Sequence, residues 1–127
     1  MTDLKFSEMN RQPSGWRYNV ALAIAGRIDM EGWGVKAVYL IGSVKNHTAG
    51  PESDIDLLIH FRGNPQQQNQ LLSWFRGWGE CLAVMAGDPS DNLLDIHLIT
   101  DEDIRNKTSF AVMIGSLHNS ATLLRTL

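Results

Sequence analysis

A chain of 127 residues, 43% hydrophobic and 20% charged, is long enough to bury the core of one domain and leaves little over for a second. A formal net charge of −3, with no run of Lys or Arg, offers nothing for tracking a phosphate backbone, so long nucleic acid is not an expected partner. The lone Cys81 excludes an internal disulfide framework and agrees with a reducing compartment. Met1 to Glu8 has no basic flank before an apolar core, and the apolar run Val20 to Ala25 falls far short of the roughly 20 residues that span a bilayer. A cytoplasmic chain with no membrane segment is expected.

Residues 1–13 read as a loosely held polar arm ending at Pro13, ahead of a single domain with its core at about 15–107. Ser14 is placed to cap a helix from Gly15 to about Met30, with Val20, Ile24 and Ile28, or Leu22 and Ala25, at helical spacing and Gly32 and Gly34 ending it. Trp16 and Tyr18 read as packing anchors. Val35 to Ile41 is a nearly continuous apolar run, the mark of a strand covered on both faces. After the turn signal Gly50-Pro51, a second strand runs from Asp54 to Phe61. Arg62-Gly63-Asn64-Pro65 breaks that strand and launches a helix from about Gln66 to Ala86. Its stripe is Leu71, Phe75, Trp78, Leu82 and Met85, widened by Trp74 and by Cys81, which is expected to be buried. Gly77 and Gly79 each cost up to about 1 kcal/mol relative to Ala and mark a point where this helix could kink or split. Its aromatics read as core, not as a nucleobase platform.

A third strand, Leu93 to Ile99, carries Asp95 and His97 on one face and Leu94, Ile96 and Leu98 on the other. Thr100-Asp101-Glu102-Asp103 has the form of a capping box opening a short helix that ends near Lys107. Phe110 to Ile114 reads as a further short strand or a docked segment, and the remainder as a tail. Strands alternating with helices give an α/β (α+β) domain: a small mixed sheet with helices mainly on one face.

The chemistry concentrates between Val38 and Ile59. Asp54 and Asp56, alternate residues of one strand, share a face with Cβ atoms about 7 Å apart and can converge on one hard cation. Ile55, Leu57 and Ile59 take the opposite face and supply burial. Gly42-Ser43 stands where a strand gives way to a turn, where Gly lets the backbone approach a ligand and the Ser hydroxyl and nearby N–H groups can hold a phosphate. The histidines His47, His60, His97 and His118 are not spaced as a metal cluster, and structural or solvent-facing roles are expected of them. His97 is singled out because it shares Asp95's face.

Gly42-Ser43, ten intervening residues, then Asp54-Ile55-Asp56, with a later carboxylate in Leu94-Asp95-Ile96, resembles the nucleotidyltransferase superfamily of DNA polymerase β type. The nearest likeness is to its minimal single-domain members, and it covers roughly residues 35–99. The string Ser53-Asp54-Ile55-Asp56-Leu57 matches the family pattern letter for letter. The wider string, with His60-Phe61-Arg62-Gly63 and the segment after Asp95, is similar to nucleotidyltransferase domains appended to phosphoenolpyruvate-synthase-like proteins. One departure is Val44-Lys45-Asn46-His47: Lys45 offers a positive charge, but His47 stands where the family commonly has Gly.

The resemblance implies transfer of a nucleoside monophosphate, AMP from ATP above all, to a hydroxyl on a protein or small molecule. It implies Asp54, Asp56 and Asp95 as catalytic metal ligands for Mg²⁺ or Mn²⁺, and Gly42, Ser43, Lys45 and Ser53 as the nucleotide-binding set. So small a domain leaves one side of a nucleotide exposed, so a homo-oligomer or a partner chain is expected to complete the site. Two other readings stay open: a regulatory domain that binds nucleotide without turnover, and a glycosyltransferase-type Asp-x-Asp site, which the upstream Gly-Ser and the short chain disfavour.

Overall fold

A computed structural model of the chain describes residues 13–42, 55–85, 87, 93–108, 110–114 and 121–127. Helix α1 (Pro13–Arg27) starts one residue before the expected cap, with Pro13 in the first turn, where a missing N–H costs nothing. It stops short of Met30 because Asp29 accepts a hydrogen bond from Gly32 N at 3.1 Å and so opens a separate single turn, α2 (Met30–Trp33). Gly34, at φ 73°, closes that turn into β1 (Val35–Ile41). There a side chain is barred twice, since a Cβ would lie 2.5 Å from Gly63 Cα.

The β2 strand (Ile55–Phe61) pairs antiparallel with β1. Helix α3 (Pro65–Met85) then carries the chain across one face to β3 (Leu94–Ile99), which pairs parallel with β2. Asn64 and Gln67 open α3 reciprocally: Gln67 N donates to Asn64 Oδ1 and Asn64 N donates to Gln67 Oε1, both at 2.8 Å. The helix runs unbroken through Gly77 and Gly79. Gly79 is buried in the stripe with Leu71, Phe75, Leu82 and Ala83.

Cys81 and Met85 are exposed, contrary to expectation. They lie one turn apart with their sulfurs 4.0 Å from each other, on the flank that Leu82 and Ala83 leave to solvent. Trp74 and Trp78 are partly buried against the core, which fits packing and not base stacking.

The sheet order is β3-β2-β1-β4. Strand β4 (Thr122–Thr126) pairs antiparallel with β1, in the segment expected to be a tail. Its burial pattern, half-buried and exposed positions at an edge, is too weak in sequence to mark a strand. Arg125 nevertheless holds it in place, donating to the carbonyls of Ala25 and Ile28, each at 2.9 Å, at the C-terminal end of α1.

Alternation divides the sheet as expected. Ile55, Leu57, Ile59 and Phe61 join Val38, Leu40, Leu71, Phe75, Ile24 and Ile28 in the main core, under α1, the single turn α2 and α3. The opposite face is not bare. Ile41, Leu58, Ile99 and Ala111 form a second, smaller core, capped by α4 (Asp101–Asn106) and a 3-10 turn (Ala111–Met113) with Ile104, Met113 and Ile114. The capping box is present: Thr100 Oγ1 accepts from Asp103 N at 3.1 Å and Thr100 N donates to Asp103 Oδ2 at 2.9 Å. Among the described residues no helix is long and apolar enough to cross a membrane.

Asp101 ties α4 to the sheet through His60 Nε2 at 2.6 Å and Arg62 Nε at 3.1 Å. The hydrogen bond to His60, then that to Arg62, holds the Asp101 carboxyl below its ordinary 3.8. A depressed carboxylate stabilises the fold fully above its unfolded value and loses that contribution as pH falls through its folded value. Urea midpoints of wild type and Asp101→Asn should therefore differ at neutral pH and converge below about pH 4. A gap that persisted at lower pH would assign the effect to shape, not charge.

Candidate functional site

Register, more than local sequence, builds the site. Parallel pairing of β2 and β3 sets Asp56 opposite Asp95 and Leu58 opposite His97, so side chains on one face stand about 4.8 Å apart across the strands. Antiparallel pairing sets Ile41 opposite Asp56, which brings the end of β1 to the same point. Gly42 follows there at φ 78°, and a Cβ on it would sit 2.6 Å from Asp56 Oδ2. The carboxylate thus rests against bare backbone. Gly42→Ala should cost about 1–2 kcal/mol for the left-handed backbone alone and displace the Asp56 carboxylate besides. Urea unfolding together with a Mn²⁺ titration checks this: a variant that is destabilised yet binds Mn²⁺ like wild type would make Gly42 a strand terminator only.

His97 Nε2 lies 3.4 Å from Asp95 Oδ2 and 3.7 Å from Asp56 Oδ1. One donor atom from each of the three residues falls within 4.8 Å of the others. Two donors of a single ion with bonds of about 2.1 Å lie at most about 4.2 Å apart, and both imidazole-to-carboxylate separations are inside that limit. The donor chemistry fits a divalent cation: carboxylate oxygens suit hard ions, and the imidazole extends the set toward transition metals. Asp95, on the outer strand, has 54% of its side chain exposed, against 28% for Asp56 and 22% for His97. Asp95 is therefore the carboxylate most open to a third molecule.

Of the residues singled out in the sequence, the structure brings Gly42, Asp56 and Asp95 together. Ser43, Lys45, His47, Ser53 and Asp54 lie outside the described residues, as do residues 1–12, His118 and the turn at Gly50-Pro51. His97 joins the two aspartates, which its shared face with Asp95 had marked in the sequence. Phe110 was not legible: its ring stacks on that of His97, with centroids 4.1 Å apart and planes 25° from parallel. No periodicity links the two positions. An open cleft of about 240 Å³, lined by Leu72, Phe75, Arg76, Leu94 and Ile96, opens on the α3 side of the sheet and faces away from the carboxylates.

A family model described as a nucleotidyltransferase domain matches residues 29–112. No curated protein and no solved structure matches the chain.

Proposed function

Because this chain belongs to the nucleotidyltransferase domain family, we propose that it transfers a nucleoside monophosphate, AMP from ATP in the first instance, to a hydroxyl on a protein or small-molecule acceptor. The observation that carries this reading is the strand register that sets Asp56 beside Asp95 at the end of β1, against the bare backbone of Gly42. Asp54, Asp56 and Asp95 would hold Mg²⁺ or Mn²⁺. A divalent cation bound there supplies neutralisation of triphosphate charge and acidification of the acceptor hydroxyl.

The remaining tasks fall to the chain's own groups. Gly42 lets main chain approach the phosphates, Ser43 and Ser53 offer hydroxyl and N–H donors, and Lys45 supplies a positive charge. Asp95, the most exposed of the three clustered side chains, accepts the acceptor's proton and passes it to solvent. The acceptor oxygen forms its bond to the α-phosphorus while the bond to the bridging oxygen breaks, and pyrophosphate leaves with that electron pair. A second copy or a partner chain closes the acceptor side, which sizing in solution with and without nucleotide checks. The exposed thiol of Cys81 suits the cytoplasm.

The test incubates the protein with α-labelled ATP and Mg²⁺ in the presence of cell lysate. Label transferred with pyrophosphate release, and lost in Asp56→Asn, is the expected result. Firm ATP binding with neither label transfer nor pyrophosphate release would make the chain a regulatory nucleotide-binding domain instead.

A further inference from the structure

The carboxylate mechanism gives His97 no task, yet His97 is the most enclosed of the three clustered side chains, at 22% exposed, and its Nε2 faces both aspartates. Imidazole rotates about its χ2 bond in a broad, roughly two-fold well, so left alone the ring would swing its nitrogens away. Phe110 restricts that rotation by lying 4.1 Å from the ring at 25° to its plane. Phe110 is held from behind in turn. Its carbonyl accepts from Met113 N at 3.1 Å, and the next residue, Ala111, is buried with Leu58 and Ile99. An aromatic side chain 40% exposed to water is thus spent on fixing the direction of one imidazole.

We propose that His97 is a further protein donor of this centre beside the carboxylates, that Phe110 is its positioning residue, and that together they shift the centre's preference from Mg²⁺ toward transition-metal dications. Mg²⁺ takes oxygen ligands and keeps its waters, and gains little from a nitrogen donor. First-row transition ions bind imidazole readily, with affinity rising from Mn²⁺ to Co²⁺. The inference rests on the reading that Asp56 and Asp95 hold the metal, and adds which metal they hold best.

Calorimetric titrations with Co²⁺ alone and Mg²⁺ alone, without nucleotide, test it, alongside the visible absorption of bound Co²⁺. Wild type should bind Co²⁺ more tightly. His97→Gln should weaken Co²⁺ by at least about tenfold, the lower bound for losing even an outer partner of a metal ligand, and change Mg²⁺ much less. Phe110→Leu should lower the Co²⁺ to Mg²⁺ affinity ratio in the same direction, and Phe110→Tyr, which keeps a ring, should restore it. The ratio is insensitive to a partly unfolded variant, because both ions report on the same folded molecules. An unchanged ratio and an unchanged Co²⁺ spectrum in His97→Gln, with Asp56→Asn losing both ions, would overturn the inference and leave the carboxylate reading standing. Asp56→Asn binding both ions like wild type would overturn both.

Discussion

Asp56→Asn is expected to abolish nucleotidyl transfer and the stabilisation that Mg²⁺ brings, while leaving the metal-free chain as stable as wild type or more so. Asp56 and Asp95 are opposed in register, with donor atoms within 4.8 Å, and two unit charges at that separation repel by about 3.5 kcal/mol at an effective dielectric near 20. Solvent around the half-exposed Asp95 and the imidazole beside the two carboxylates reduce this, but its sign favours the neutral amide when no cation is present. Metal-assisted charge stabilisation is worth several kcal/mol, so its loss should lower the rate on the order of 10³-fold. A scaffold aspartate would behave oppositely, costing about 1–3 kcal/mol on substitution with no link to metal. Melting curves of both proteins with and without Mg²⁺ separate the cases. A less stable variant that kept the full Mg²⁺ response would remove Asp56 from the site.

The second large effect lies far from the chemistry. Arg125→Ala should destabilise the fold by about 2–4 kcal/mol, since each charged hydrogen bond is worth about 1.5–3 kcal/mol and water takes over part of the loss. For a chain of this size that corresponds to roughly 10 °C in melting temperature. The guanidinium supplies donors to the carbonyls of Ala25 and Ile28, where a helix leaves acceptors without internal partners, in a partly buried place. It also joins the edge strand β4 to α1 across the sheet. Arg125→Lys should recover part of the loss, because both bonds leave the single nitrogen Nη1 and an ammonium has donors enough for two carbonyls, but on a shorter stem and at a higher cost of dehydration. A melting temperature within a degree or two of wild type for Arg125→Ala would show that sheet pairing alone anchors β4.

Local periodicity carried much of this far. Ile55, Leu57 and Ile59 against Asp56, and Leu94, Ile96 and Leu98 against Asp95 and His97, are period-two patterns, and each strand took the face its pattern demanded. Thr100 and Asp103 announced a helix start because a capping box is made within four residues. The misreadings sit where local signals compete or are absent. Asp29 captured its own turn and ended α1 early, and Cys81 lay on the flank of a stripe whose width spacing alone does not set. Thr122 to Thr126 is a strand because β1 offers an edge and Arg125 a clamp, and neither is visible from the strand itself.

The sequence by itself determined the fold class, the strand faces and the chemical types of the clustered side chains Asp56 and Asp95 beside Gly42, because these follow from side-chain alternation and from what a carboxylate or a glycine can do. Which strands are neighbours was decided only in three dimensions, through pairings between segments far apart in the chain. That pairing puts Asp56 beside Asp95 and rests Gly42 on the carboxylate, while His97, one pair further along, turns its Nε2 toward both aspartates with Phe110 on its ring. A period of two says which way a side chain points, but it contains no information about what stands opposite.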